Sequence, residues 1–198
     1  MAALTAETLP WQLLPAGRRR ALPPALREVL YDRGSLTARV RARCPARFRV
    51  VLLGQWADRL DPTGAGVLQL APRARVLRRE VLLCCGSVPL VFAHSVLPTA
   101  SLTGPWRRLG RLGVRPLGAT LFDDRRVRRS AIRVVRLPPH GPAARHIAAA
   151  VTTIGKFGPA APLHGRYSIF QLAARRVFVS EFFLPQWQDR QPAMEDGA

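Results

Sequence analysis

The apolar positions of this chain change period several times. From Pro23-Pro24 the stretch ALREVLYDR reads as a helix with proline at its start. Gly34-Ser35 ends that helix and caps the next, LTARVRARC. At Arg47 the pattern shortens: RFRVVLLGQW alternates and is rich in β-branched residues, which predicts a strand closed by a loop at DPTGAG. A second strand is expected from about Ala74 to Cys85, with a tight turn at Gly86-Ser87 and a return strand from Val88 to Val96. SLTGPWRRLGRLG and RPLGATLFDD read as short helices, and SAIRVVRL as a strand stopped by Pro138-Pro139. The Ala-, Gly- and Pro-rich stretch over 138–164 reads as an exposed loop excursion with a small helix near Ala143 to Val151. GRYSIFQLAARRVFVSEFFLP then forms a second hairpin turning near Ala173-Ala174. Neighbouring strands joined by tight turns imply an α+β fold, with a single antiparallel β-sheet and helices packed on one face.

At 198 residues and 48% hydrophobic, the chain suits one domain with a sizeable core. That domain is expected over 25–185, between an N-terminal extension over 1–24 and a flexible tail over 186–198. The span from Val81 to Trp106 carries no formal charge and is long enough to cross a bilayer, but Gly86, Pro89, His94 and Pro98 interrupt it, so a hairpin is expected and no integral membrane segment. In the first twenty residues the basic cluster follows the apolar stretch, the wrong order for a secretory signal, and a cytoplasmic protein is expected.

The formal charge is +19, carried almost wholly by arginine, with Lys156 the single lysine. Such an excess attracts nucleic acid, anionic surfaces and small anions alike. The arginines are scattered rather than interleaved with aromatic residues, which make up 7%, so stacking platforms for nucleic acid have little support. Cys44, Cys84 and Cys85 form no CxxC pair; they are expected as small buried thiols in a reducing compartment, without a disulfide. His94, His140, His146 and His164 lack metal-ligand spacing, and no Gly-rich phosphate loop or GxSxG elbow is present.

Two charges stand out against this background. Arg79 opens the apolar run REVLLCC, and Glu181 interrupts RVFVSEFFLP. A charge in a buried strand must be paired or face a ligand, because leaving it unpaired costs several kcal/mol (~1–3 for a neutral polar group alone). A structural ion pair is the commoner explanation.

An ordered set of motifs favours the ligand. SLTARVRARC, REVLLCCGSVPLVFAHSVLP, SLTGPWRRLGRLGVRPLGATLF, RYSIFQL and SEFFLP, running from about Leu26 to Pro185, resemble bacterial chorismate pyruvate-lyases, which form 4-hydroxybenzoate at the head of ubiquinone biosynthesis. The resemblance implies a buried ligand site between sheet and helices, a chorismate lyase-like fold, and a reaction without cofactor or metal that converts chorismate into 4-hydroxybenzoate and pyruvate. It further implies a monomer whose partners are that substrate and product, with no nucleic acid. Arg79 matches the family arginine that grips the ring carboxylate, and Glu181 the glutamate near the ring hydroxyl, the candidate acid or base. The backbone N–H groups of Leu36 and Leu117 match positions that complete the carboxylate site. His94 stands where many relatives carry arginine, and is a further candidate for lining the site. A non-catalytic effector-sensing domain of the same fold type is the alternative; such domains follow a DNA-binding winged helix, whereas two short helices and much proline precede the first strand here.

Overall fold

The structure is a computed structural model that describes residues 12–189 apart from 45, 105 and 154–160. The start of the N-terminal extension, the end of the tail and part of the excursion therefore lie outside the described residues.

The sheet is antiparallel throughout and has eight strands: β1 (Gln12–Leu13), β2 (Phe48–Arg59), β3 (Arg75–Cys85), β4 (Val88–Pro98), β5 (Arg128–Arg129), β6 (Arg133–Leu137), β7 (Leu163–Leu172) and β8 (Arg175–Phe183). Their order is β1-β6-β7-β8-β4-β3-β2, with β5 beside β7. Both expected hairpins form, β3–β4 through Gly86 at φ +59° and β7–β8 through Ala173 at φ +52°. Strands β3, β4 and β8 occupy the middle and are buried on both faces.

Alternation along these strands sorts the core into two halves. On one face Val81, Leu83, Val91 and Phe183 pack against Leu26, Val29, Leu36 and Val40, from helices α1 (Pro24–Tyr31) and α2 (Leu36–Ala42). Ser35 caps α2 as expected, its hydroxyl accepting from the Ala38 N–H. Farther along the same face, Leu97, Phe170, Val177 and Val179 pack against Leu117 and Leu121 of α4 (Leu117–Asp123) and against Leu109 of a 3-10 turn at Arg107–Arg111.

The second face carries helices as well, so the helical cover extends beyond the one expected. DPTGAG is not a loop: α3 (Pro62–Leu68) forms there because Asp61 caps the Gly64 N–H at 2.8 Å and Pro62 occupies the first turn, which outweighs two glycines. The small helix expected in the excursion forms, but it is not exposed: α5 (Pro142–Thr152) buries Ala143, Ile147 and Val151 against Leu82, Phe92 and Phe182. The segments set aside as extension and tail also contribute. Strand β1 pairs with β6, Leu22 is in the core, and Trp187 of α6 (Gln186–Asp189) stacks edge-on against Phe183 at 5.2 Å.

The cysteines depart from expectation. Cys44 and Cys85 form a disulfide that ties the chain after α2 to the end of β3, and Cys84 remains a buried thiol on the opposite face. With three cysteines the sequence shows no parity signal, and the pairing spans 41 residues that only the fold brings together.

Gly165 allows β7 to pass close to Phe182: a Cβ there would lie 2.4 Å from the Phe182 ring and 2.8 Å from the Glu181 carbonyl oxygen. Gly165→Ala is expected to destabilise the fold by about 1–3 kcal/mol through overpacking, read as a lower midpoint in urea unfolding with an unchanged slope.

Candidate active site

Cross-strand register decides which side chains meet. Arg79, Ser95 and Val179 lie side by side across β3, β4 and β8, and one step along the same face come Val81, Ala93 and Glu181, with Arg166 of β7 next to Glu181. Arg79 and Glu181 are thus separated by one intervening strand and a two-residue offset, roughly 12 Å between Cα positions. That is too far for side chains engaged elsewhere to pair and suits two groups at opposite ends of one ring.

A cavity sits over this patch, lined by Arg79, Ser95, Val179 and Glu181 from the sheet and by Leu36, Leu117 and Phe122 from the helices. Leu36 and Leu117 are the first residues of α2 and α4, so their N–H groups have no partner within the helix. Gly118 lets the two helix starts converge, since a Cβ there would meet the Thr37 hydroxyl at 3.1 Å. The free volume is about 40 Å³. That is room for a water or two rather than a ring in this conformation.

Arg79 is 1% exposed. Its Nη2 donates to the carbonyls of Gly113 and Arg115 at 3.0 and 3.1 Å, drawing the loop before α4 onto the strand, while Nε is buried without a partner. Among the described residues no carboxylate pairs with it, and burial pushes its pKa down to about 10, still protonated at neutral pH. Its neighbour Arg78 faces the other way and is paired with Asp58 at 2.7 Å. Of two adjacent buried arginines, one is neutralised and the other presents its charge to the cavity.

Glu181 has a partner that sequence reasoning missed. Arg166, 1% exposed, donates from Nε to Glu181 Oε2 at 2.7 Å and from Nη1 to the Val29 and Asp32 carbonyls, both at 2.6 Å, clasping the C-terminal end of α1. Its signal in the sequence is a charge in the alternating run GRYSIFQL, on the same parity as Phe170. Arg129 stands beside it: Nε donates to Ser168 at 2.8 Å, Nη1 to the Arg33 carbonyl at 3.1 Å, and the guanidinium lies over the rings of Phe170 and Phe122 at 5.1 and 5.7 Å. Burial pushes Arg129 down to about 10, opposed by the charge of Glu181.

His94 does not line the cavity. It is opposite Glu80 in the register, on the far face, and its Nδ1 lies 3.0 Å from Glu80 Oε1. His146 of α5 reaches both oxygens of the same carboxylate at 2.9 Å. A carboxylate only accepts, so both imidazoles donate to it. Burial raises Glu80, but the hydrogen bonds from His146 and His94 outweigh it and hold the carboxyl at about 2. The bond to Glu80 raises His146 against the opposing effect of burial. The stabilisation from His146 is therefore complete below its ordinary value of 6.5 and is lost as pH rises through the raised folded value. That from Glu80 is complete above 4.5 and is lost as pH falls toward 2. His164, lowered by burial and by Arg136, acts in the opposite sense. Comparing thermal midpoints of wild type and His146→Gln isolates the pair: the gap is expected to be widest between about pH 4.5 and 6.5 and to narrow above that range.

The family model for chorismate lyase matches residues 9–192. The chain belongs to the chorismate lyase family. A chorismate lyase relative from Azoarcus sp. (strain BH72), named a probable chorismate pyruvate-lyase, is 44% identical over 162 residues, 81% of this chain and 84% of the relative. Another of that name, from Methylococcus capsulatus, is 41% identical over 79% of this chain and 92% of its own length. Among solved structures, the effector domain of PhnF from Mycobacterium smegmatis matches with a TM-score of 0.56 at 17% identity, over 77% of this chain and 90% of that one. At that identity it shows a shared fold, the one expected for a chorismate lyase, and no shared ligand. No helix among the described residues is long and apolar enough to cross a membrane, and no metal-binding group of His, Cys, Asp or Glu is found among them.

Proposed function

We propose that this protein eliminates pyruvate from chorismate to give 4-hydroxybenzoate, the entry step to ubiquinone, without a cofactor. The observation that supports it most is the guanidinium of Arg79, buried in the cavity wall with carbonyl partners but no carboxylate among the described residues. A buried cation of this kind calls for an anion. The ring carboxylate of chorismate meets it, accepting from the guanidinium N–H groups that the two carbonyls leave free, the buried Nε among them, with the N–H groups of Leu36 and Leu117 beside it.

With its carboxylate held there, the ring points its hydroxyl-bearing carbon toward Glu181. The reaction removes the proton from that carbon. Its electron pair becomes the new ring double bond, the ether C–O bond breaks, and the departing enol takes up a proton and becomes pyruvate. Aromatisation drives the step; the protein supplies position and a route for the proton. Glu181, fixed by Arg166, orients the hydroxyl carried by the carbon that loses its proton.

Purified protein mixed with chorismate is expected to form 4-hydroxybenzoate and pyruvate in equal amounts. Formation of neither, with retained binding of 4-hydroxybenzoate, would instead make the chain an effector-sensing domain.

A further inference from the structure

One strongly charged surface plays no part in the chemistry above. The 3-10 turn at Arg107–Arg111, the loop after it and the outer side of α4 border an open groove of about 1480 Å³. Six arginines line it, Arg107, Arg108, Arg111, Arg115, Arg125 and Arg126, against the two aspartates Asp123 and Asp124. Asp124 is already engaged by Arg126 at 2.8 Å. One apolar side chain projects beside these charges: Val114, 64% exposed, between Arg111 and Arg115 in the chain.

We propose that this face docks the protein on an anionic phospholipid surface. Clustered arginines meet the negative potential of acidic headgroups, and the apolar Val114 beside them enters the interfacial layer. A nucleic acid fits less well. Single strands need exposed rings to stack on, whereas Trp106, the indole of this groove, is 2% exposed. The surface is also continuous with the site: Leu117 and Leu121 of α4 line the ligand cavity while Ala119, Thr120 and Asp123 line the groove. Docking thus places the α4 wall of the cavity next to the bilayer. The inference goes beyond the lyase reading and does not depend on it, because its readout is binding.

Flotation of the full chain with vesicles of phosphatidylglycerol and phosphatidylcholine, against phosphatidylcholine alone at about 0.15 M salt, tests it. Wild type is expected to float with the acidic vesicles only, and R107E/R108E/R125E to lose about a hundredfold in partitioning. Val114→Asp should weaken binding at unchanged arginine content. The charge-matched control R18E/R20E/R47E, altered outside the groove, should keep most of the binding; circular dichroism establishes that each variant is folded. The proposal is overturned by equal losses in the two triple variants, which would mean net charge alone, by no preference for acidic vesicles, or by retention on RNA without vesicle binding.

Discussion

Arg79→Met is expected to reduce kcat/KM on chorismate by about a thousandfold, the upper end of what losing one preorganised donor costs, while the thermal midpoint stays level or rises. The two effects diverge for a physical reason. Arg79 is a buried cation with no carboxylate among the described residues, and replacing such a charge by an apolar chain of similar length is often neutral or stabilising. The carbonyls it serves belong to Gly113 and Arg115, which are exposed, so water can replace the lost donor. Kinetics and calorimetry on one preparation check both halves. Loss of stability in step with activity would make Arg79 a structural pin rather than a ligand group.

Arg166→Met should behave in the opposite way. Here the cation has a partner, and removing it leaves the Glu181 carboxylate and two carbonyls near the end of α1 without their donor. Breaking a buried pair from one side costs about 3–5 kcal/mol, with the lower end expected because the Glu181 side chain keeps 16% of its exposure. Urea unfolding of wild type, Arg166→Met, Glu181→Gln and the double variant completes a cycle. Arg166→Met should cost less once Glu181 is already Gln, and equal costs in both backgrounds would show that the clasp on α1, rather than the ion pair, carries the effect.

Both hairpins and helices α1, α2 and α4 were legible because their signals are local: alternation, a glycine turn, proline or serine at a helix start. Arg79 and Glu181 were legible because a charge in a run of Val, Leu and Phe conflicts with its surroundings. What was not legible depends on long-range register. His94 and Arg79 are neighbours in space, but pairing with Glu80 rather than with Arg79 puts His94 on the far face. Arg166 lies 15 positions from Glu181, and its other partners, the carbonyls of α1, lie more than 130 positions away. The Cys44–Cys85 bridge is of the same kind. Helix α3 was obscured by its two glycines, and the burial of α5, expected as a small helix near Ala143 to Val151, by its alanines, which weaken the apolar stripe that marks a buried helix face.

The central claim is that Arg79 and Glu181 hold opposite ends of one aromatic acid. Calorimetric titration with 4-hydroxybenzoate and with benzoate, which lacks the hydroxyl, tests it most directly. Arg79→Met is expected to lose affinity for both ligands, whereas Glu181→Gln should lower affinity for 4-hydroxybenzoate to near the benzoate level and leave benzoate unchanged. If Glu181→Gln weakened both ligands equally, or if Arg79→Met left benzoate binding intact, the ring would not lie between these two residues.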